Sequence, residues 1–288
     1  MLELLLAVLC SVMVGILIKV ARGKGVAIAQ SIAMNYVIAT ILSYFLLQPD
    51  FKGQNLVEIV RDNPSSYLFL ALGILLPTVF LIQAKALEYA GIIRTDAAQR
   101  LSLFLPILAA FTLFGEVVTQ NKLIALVLAF GALICLLWKS HEGITGKGGK
   151  VALISLIFVW IGFGIIDILF KEMAKTGSSF SLTLFISFIG AGCVMFIYLT
   201  LKRTKWNLVS LLTGVLLGIL NFCNILFYIK AHQAMKDDPT LVFTGMNLGV
   251  ICLGTLAGAF LFKEKINKIN YIGVVIAIIA ILCLFYWR

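Results

Sequence analysis

The chain has 288 residues, of which 61% are hydrophobic and only 12% are charged, and its mean hydropathy is +1.07. A water-soluble domain of this length could not bury so much apolar surface in one core, so the composition indicates a membrane protein. The net charge of +10 is concentrated in short polar stretches beside apolar segments. This placement is typical of topology signals, and no nucleic-acid partner is expected.

Ten apolar segments follow one another along the chain, each of about 18 to 24 residues, the length needed to cross a hydrocarbon core of about 30 Å. They are continuously apolar instead of alternating, which predicts helices and not barrel strands. The sequence therefore predicts an all-α membrane bundle. The predicted spans are 2–20, 27–47, 67–87, 92–114, 121–138, 150–171, 180–201, 208–231, 239–262 and 269–287.

The first segment lacks a basic leader and a small-residue cleavage site, so we expect it to remain in the mature protein as a span. All six cysteines fall in apolar segments without C-x-x-C spacing, which predicts neither a disulfide framework nor a zinc site. Spans five and ten carry almost no polar residue, so we expect them at the periphery of the bundle.

The sequence contains an internal repeat with an offset of 148 residues, which aligns LFGE at 113–116 with LFKE at 261–264 and Cys135 with Cys283. The repeat predicts two five-helix halves, residues 1–138 and 151–288, joined by the polar connector 139–150. Because five is odd, the second half must enter the membrane in the opposite orientation. Inverted repeats of this kind are typical of secondary transporters.

The fourth span carries Arg94, Asp96, Gln99 and Arg100 near its start. Asp96 and Arg100 are four residues apart and share a helix face with Gln99. Arg100 lies about 12 Å along the axis from Ile92, too deep for easy snorkelling. Two interpretations stay open: a self-neutralising structural pair, or a cavity wall. In the second, Arg100 or Arg94 binds an anionic substrate group through a bidentate contact, and Asp96 tunes the site or exchanges a proton.

Further polar residues inside the spans are candidates for lining the same cavity. In the repeat, Thr244 aligns with Asp96 and Asn247 aligns with Gln99, which keeps polar atoms on the matching face. For each asparagine, an interhelical hydrogen bond is the alternative. The full set of these candidates is Asn35, Gln83, Asn221, Asn224, Thr244 and Asn247.

Two candidates for proton coupling are Asp96 and His232. Histidine titrates near neutral pH without help, and a buried aspartate can be brought into that range. Asp96 is preferred because it lies deeper, and for His232 an ordinary surface position is the alternative. In the sixth span, the four-residue spacing of Asp167 and Lys171 predicts an interfacial salt bridge.

Acidic residues and glycines at the helix ends and crossings are expected to be structural. Glu116 and Glu264 close spans four and nine, where we expect them to brace the loops against Lys122 and Lys268. Glycines at helical spacing allow helices to approach closely. They are Gly214 and Gly218 in span eight and Gly245, Gly249, Gly254 and Gly258 in span nine.

The ten-span duplication, the apolar run containing Pro106, the LFGE and LFKE motifs and the glycine-bearing first and sixth spans together resemble the EamA-like branch of the drug/metabolite transporter superfamily. The resemblance implies a central cavity between the halves, alternating access, and export of amino acids or other small metabolites. It also implies a multi-pass protein of the cytoplasmic (inner) membrane, as a monomer or homodimer. Gly254 replaces Pro106 in the second half, so the halves are not equivalent.

Other functional classes are disfavoured or left open. With two histidines, no H-E-x-x-H, no G-x-S-x-G and no clustered carboxylates, the sequence predicts neither an enzyme nor a cofactor or metal site. A passive channel for small anionic metabolites stays open because its lining chemistry would be the same. Orientation also stays open: lysine and arginine are richer in the loops after odd-numbered spans, which predicts outside termini, whereas the resemblance implies inside termini.

Overall fold

The protein is all-helical over the part of the chain that the computed structural model describes. The structure describes residues 1–22, 25–51, 53, 55, 58, 59, 61, 66–90, 92–137, 149–176, 180–262 and 268–286, without the side chains of 22, 92–94, 96, 97, 136, 137 and 262. The helices are α1 (Leu2–Arg22), α2 (Ile28–Leu47), α3 (Ser66–Tyr89), α4 (Ile92–Leu101), α5 (Phe104–Thr112), α6 (Gln120–Leu137), α7 (Gly149–Lys175), α8 (Phe180–Leu201), α9 (Leu208–Ala234), α10 (Pro239–Phe262) and α11 (Lys268–Tyr286).

Eight helices in the described ranges are long and apolar enough to cross a membrane, namely α1, α2, α3 and α7 to α11. Two shorter apolar helical stretches, 98–112 and 120–135, occupy the positions of the remaining predicted spans. The prediction of a multi-pass helical membrane protein is therefore confirmed. The connector differs slightly from the prediction, since α7 already begins at Gly149, and residues 139–148 lie outside the described part.

The central core is formed where α2 packs against α8 and α9 and where α3 packs against α7 and α8. Fully buried aromatic side chains join these helices: the rings of Tyr36 and Phe188 are 6.5 Å apart, and those of Phe188 and Phe222 are 6.4 Å apart. The outer surface instead exposes many large apolar residues, as expected of helices that face lipid.

Helices α6 and α11 pack mainly against each other, at one side of this core. Their contact is a small cluster of its own, with Ala129, Ala132, Ala277 and Ala280 fully buried. The opposite faces expose branched apolar residues to the surroundings. The peripheral position predicted from the lack of polar residues is confirmed.

Glycines allow two helix crossings to be very close. A Cβ atom at Gly214 would lie 2.6 Å from Met34 Cβ, and one at Gly218 would lie 2.6 Å from Ile38 Cβ, so α9 can approach α2 only without side chains there. Gly73 and Gly190 face each other where α3 meets α8, and a Cβ atom at Gly73 would lie at contact distance, 3.4 Å, from Gly190 Cα. The close-packing interpretation is confirmed for α9. It does not extend to Gly254, around which nothing lies within 4 Å.

Candidate functional site

The predicted fourth span, 92–114, is interrupted, because α4 ends at Leu101 and α5 begins at Phe104. The cause is Pro106, which has no N–H to offer the carbonyl of Ser102 one turn earlier and whose ring would collide with that carbonyl in a continuous helix. The prediction of one unbroken helix was wrong for this reason. The break comes directly after the charged segment of the span.

The backbone carbonyls at the break all find donors. Three bonds are local: the Ser102 hydroxyl to the Gln99 carbonyl, the Leu103 N–H to Arg100 at 3.2 Å, and the Leu105 N–H to Ser102 at 3.0 Å. The Leu101 carbonyl, which thereby loses its helical donor, accepts a hydrogen bond from the Trp160 indole N–H at 3.0 Å. Unpaired backbone groups are costly in lipid, so this hydrogen bond from Trp160 of α7 stabilises the break between α4 and α5.

Arg100 lies in the last turn of α4 and brings a positive charge close to the second half of the chain. Asp167 of α7 is within electrostatic range of this guanidinium and of the Tyr228 hydroxyl on α9. Arg100 and Asp167 are both partly exposed. Three helices from the two halves thus present an arginine, an aspartate and a tyrosine to one region.

The predicted salt bridge between Asp167 and Lys171 is not formed. The Lys171 ammonium instead donates to the backbone carbonyl of Lys236, at 2.8 Å, in the turn between α9 and α10. Lys171 is buried, and the carbonyl supplies the partner that its charge requires. Asp167 is therefore left to interact with Arg100 and Tyr228.

The other residues predicted on α4 are in part described. Gln99 accepts a hydrogen bond from the Gln83 side-chain amide on α3, at 2.8 Å, and both are partly exposed, so the structure brings these two candidates together. The backbone of α4 includes Arg94 and Asp96, but their side chains lie outside the described residues. Their roles, and the pairing of Asp96 with Arg100, stay predictions.

His232 is not at the surface, so the alternative interpretation of it as an ordinary surface residue was wrong. It is 0% exposed and lies between two rings, 4.8 Å from Tyr228 and 4.7 Å from Phe243. Neither ring nitrogen has a hydrogen-bond partner among the described residues.

The candidate asparagines of α2 and α9 form interhelical hydrogen bonds. The Asn221 amide donates to the Asn35 side-chain oxygen at 3.1 Å, and the Asn224 amide donates to the Ala7 carbonyl at 2.8 Å. This is the alternative that the sequence left open. A part in substrate binding stays a prediction for these three residues.

The two candidates on α10 are both buried. The Asn247 amide donates to the Phe243 carbonyl of its own helix at 3.1 Å. The Thr244 hydroxyl has no hydrogen-bond partner in the described part of the chain. Thr244 therefore keeps a polar atom that a ligand or water could satisfy, whereas Asn247 is already engaged.

A polar cluster around Glu116 holds the loop after α5 against α10. One carboxylate oxygen accepts from the Lys122 ammonium at 2.8 Å, and the other accepts from the Thr240 hydroxyl at 2.7 Å. Lys122 also reaches Asp238 at 3.3 Å. The predicted bracing role is confirmed for Glu116 and Lys122, while Glu264 lies outside the described residues.

The structure adds residues that the sequence did not assign to the site. Asp167 was paired with the wrong partner, and Tyr228 and Trp160 were not considered. A signal existed for Asp167, since it is a carboxylate eight residues before the end of a spanning helix. No set of three or more His, Cys, Asp or Glu side chains in the described residues could hold a metal ion.

Comparisons with known proteins agree with this architecture. Residues 150–286 match the model of the EamA-like transporter family. A protein of Haemophilus influenzae (strain Rd), an "Uncharacterized protein", is 57% identical over 284 residues, which cover 99% of this chain and 97% of that protein. The chain belongs to the EamA-like transporter family.

A solved crystal structure shares the fold of this EamA-like protein. The match has a TM-score of 0.74 with 13% sequence identity and covers 99% of this chain and 96% of the other. At this identity the similarity extends to the fold alone. Family membership indicates a membrane transporter and a non-enzymatic role.

Proposed function

We propose that this EamA-like protein is a secondary active transporter that exports small polar metabolites, such as amino acids, by alternating access. The observation that carries the proposal is the position of Arg100, which lies directly before a break in a membrane helix and within range of Asp167 from the other half. Discontinuous helices at the interface between repeats commonly form the substrate site of transporters. The cytoplasmic membrane is the proposed location.

The proposal includes two inverted five-helix halves. In support, the helix pairings exchange when the halves are exchanged. The second helix of the first half packs on the third of the other, α2 on α9, and the reciprocal pair α8 and α3 also packs. The pairs α1 with α9 and α7 with α3 match in the same way, and α6 with α11 corresponds to itself. A two-fold axis in the membrane plane would produce this pattern.

The chemistry of the site favours a substrate with a carboxylate. The Arg100 guanidinium offers several N–H donors in a plane, which suits two parallel hydrogen bonds to a carboxylate. Gln99, the preceding residue of α4, and its hydrogen-bond partner Gln83 on α3 are proposed to add amide groups to the lining. Arg94 and Asp96 on the same helix, and Thr244 on α10, are proposed to extend this lining.

Transport is proposed to be coupled to protons. The sequence nominates Asp96 and His232 for this role. His232 is enclosed by the rings of Tyr228 and Phe243, and neither of its ring nitrogens has a hydrogen-bond partner among the described residues that could pass on a proton. A carboxylate is therefore the better candidate for the coupling group.

The test is uptake into proteoliposomes containing the purified full-length protein, with the proteinogenic L-amino acids as probes. Accumulation against a concentration gradient when a pH gradient is imposed is expected, since a passive channel cannot concentrate its solute. Equilibration without accumulation would identify a channel instead.

Binding at Arg100 is tested separately by thermal shift with the variant Arg100→Gln. Loss of charge-assisted hydrogen bonds should weaken binding by at least about tenfold. The matched control is Lys85→Gln, which removes a positive charge from the exposed side of α3 and should leave binding unchanged. Unchanged shifts with Arg100→Gln would remove this residue from the site.

A further inference from the structure

The loop between α8 and α9, residues 202–207, is strongly basic. Lys202, Arg203 and Lys205 are all exposed, and the loop has no acidic residue. None of the three side chains forms a salt bridge with another described residue. The turn between α9 and α10 differs, because one lysine stands there beside two aspartates, at 236–238. Within the described part of the protein, the positive charge of the α8–α9 loop is therefore not neutralised.

The dipoles of the adjoining helices account for only part of this charge. Lys202 and Arg203 directly follow the last turn of α8, where positive charge is favourable. Lys205 instead lies three residues before Leu208, the first residue of α9, and positive charge is unfavourable at the start of a helix. The two helix ends therefore do not explain the whole group of basic residues.

Arg203 occupies a backbone position that favours glycine. Its φ angle is 48°, in the left-handed region, and its N–H donates to the Thr200 carbonyl at 3.0 Å. The next N–H, of Thr204, donates to the Leu199 carbonyl at 3.2 Å. These two hydrogen bonds form a Schellman motif, in which the left-handed residue is usually glycine because a Cβ atom is unfavourable there. The chain thus places an arginine in the loop at a conformational cost.

Hydrogen bonds to α2 hold the loop in place. The buried Gln30 side chain donates to the Lys205 carbonyl and accepts from the Asn207 N–H at 2.9 Å. The Asn207 side chain in turn caps α9, because it accepts from the Val209 N–H at 2.9 Å. Consecutive Cα atoms are about 3.8 Å apart, so those of residues 202 to 205 lie within about 11 Å of one another. The long basic side chains can therefore converge on one phosphate group from a fixed backbone.

Apolar side chains on both sides of the loop place it at the surface of the membrane. Leu201 before the loop is 80% exposed, and Leu208 after it is 70% exposed. The exposed ring of Trp206 lies 6.1 Å from the ring of Phe196 on α8. Tryptophan is enriched where the acyl chains of a membrane meet the headgroups. The basic side chains of the loop therefore lie at the level of the lipid phosphates.

We propose that the α8–α9 loop binds an anionic phospholipid. The headgroup phosphate is held by Lys202, Arg203 and Lys205. One acyl chain lies along the rings of Trp206 and Phe196. Basic residues beside a membrane helix attract anionic lipids, and the planar guanidinium group suits two parallel hydrogen bonds to a phosphate. Since the loop is hydrogen-bonded to α2, the bound lipid also stabilises a contact between the two halves of the chain.

The experiment measures lipid binding to the purified full-length protein in an uncharged detergent. The probes are phosphatidylglycerol and phosphatidylcholine with identical brominated acyl chains, which quench the fluorescence of a nearby tryptophan. Phosphatidylglycerol should bind with a dissociation constant at least about tenfold lower than that of phosphatidylcholine, because only its headgroup carries a net negative charge. The quenching that it causes should be lost in Trp206→Phe. Inorganic phosphate at the concentration of the lipid should not displace it, since phosphate lacks the apolar contacts.

A triple variant and a matched control separate this site from general effects of charge. Exchange of Lys202, Arg203 and Lys205 for glutamine should weaken phosphatidylglycerol binding on the order of 100-fold, at about fivefold for each residue. The control removes three exposed lysines elsewhere and should bind the lipid like the wild type. It combines Lys150→Gln, Lys230→Gln and Lys236→Gln.

The single variant Arg203→Gly removes one charge without harm to the fold. Glycine suits a φ angle of 48°, so without lipid this variant should melt no lower than the wild type. Its affinity for phosphatidylglycerol should nevertheless fall about fivefold. The test is therefore decisive even if the triple variant does not fold.

Four results would overturn the inference. Equal affinities for the two phospholipids would show an apolar contact without recognition of the headgroup. Unchanged affinity in Arg203→Gly, or in a folded triple variant, would exclude these side chains as the headgroup site. Quenching that persists in full in Trp206→Phe would place the lipid elsewhere. Displacement of the lipid by an equal concentration of inorganic phosphate would identify a site for free phosphate instead.

Discussion

The carboxylate of Glu116 accepts both the backbone N–H and the hydroxyl of Thr240, at 3.0 and 2.7 Å. Thr240 lies in the first turn of α10, where backbone N–H groups lack helical partners and a negative charge is favourable. A residue from the loop after α5 therefore caps a helix of the other half of the chain.

Removal of this cap should destabilise the protein strongly. Glu116→Ala leaves the buried Lys122 ammonium without its main partner, and breaking one side of a buried ion pair costs about 3 to 5 kcal/mol. Unfolding in detergent, monitored by helical circular dichroism, measures the loss. Thr240→Val is the matched control and should cost only about 1 kcal/mol, since it removes one hydroxyl group. Equal effects from both variants would mean that the ion pair contributes little.

Replacement of Pro106 should restore a continuous helix. In Pro106→Ala the new N–H can donate to the Ser102 carbonyl, so slower amide hydrogen exchange is expected across residues 102 to 106. Because Arg100 would then be turned relative to α7, transport should fall at least about tenfold, equivalent to about 1.4 kcal/mol. Pro77→Ala is the control, as Pro77 lies inside the unbroken α3. Transport that survives in Pro106→Ala would show that the break is dispensable.

The crossing of α2 and α9 should not tolerate a methyl group. Gly218→Ala places a Cβ atom 2.6 Å from Ile38 Cβ, and overpacking of this kind costs about 1 to 3 kcal/mol. Gly254→Ala introduces the same change where nothing lies within 4 Å, and it should be neutral or slightly stabilising. Melting temperatures of the two variants provide the comparison. A stable Gly218→Ala protein would show that the crossing can widen without cost.

His232 should be replaceable by phenylalanine without loss of stability. Its two ring nitrogens have no hydrogen-bond partner among the described residues, and the ring lies between Tyr228 and Phe243. Exchange of an unsatisfied polar ring for an apolar ring of similar shape is close to neutral or favourable. We expect His232→Phe to melt no lower than the wild type and to keep proton-driven uptake. Loss of coupling with normal folding would instead support His232 as the proton carrier.

Hydropathy and local spacing made a large part of the fold predictable. Long apolar runs predict helices, because in lipid the backbone N–H and C=O groups must form hydrogen bonds with each other. The peripheral position of α6 and α11 follows from their lack of polar residues. The pairing of Glu116 with Lys122 was predictable as well, because Glu116 lies in the short loop after α5 and Lys122 lies in the first turn of the next helix.

Where a side chain has several possible partners in the folded protein, the partner that it binds was not predictable from the sequence. Lys171 is four residues from Asp167, but its ammonium group binds a backbone carbonyl in the turn between α9 and α10. The spacing of residues in the sequence cannot predict that this carbonyl lies within reach. Proline is similarly ambiguous: Pro77 lies within an unbroken helix, whereas Pro106 follows a break. Packing of the neighbouring helices decides between these outcomes.

The indole N–H of Trp160 donates to the last backbone carbonyl at the interruption between α4 and α5, so no carbonyl there is left without a hydrogen bond. Such a gap does not depend on a bound solute to hold it open. The site proposed beside it would then be preorganised before a solute arrives, and binding there would not require a helix to unwind first.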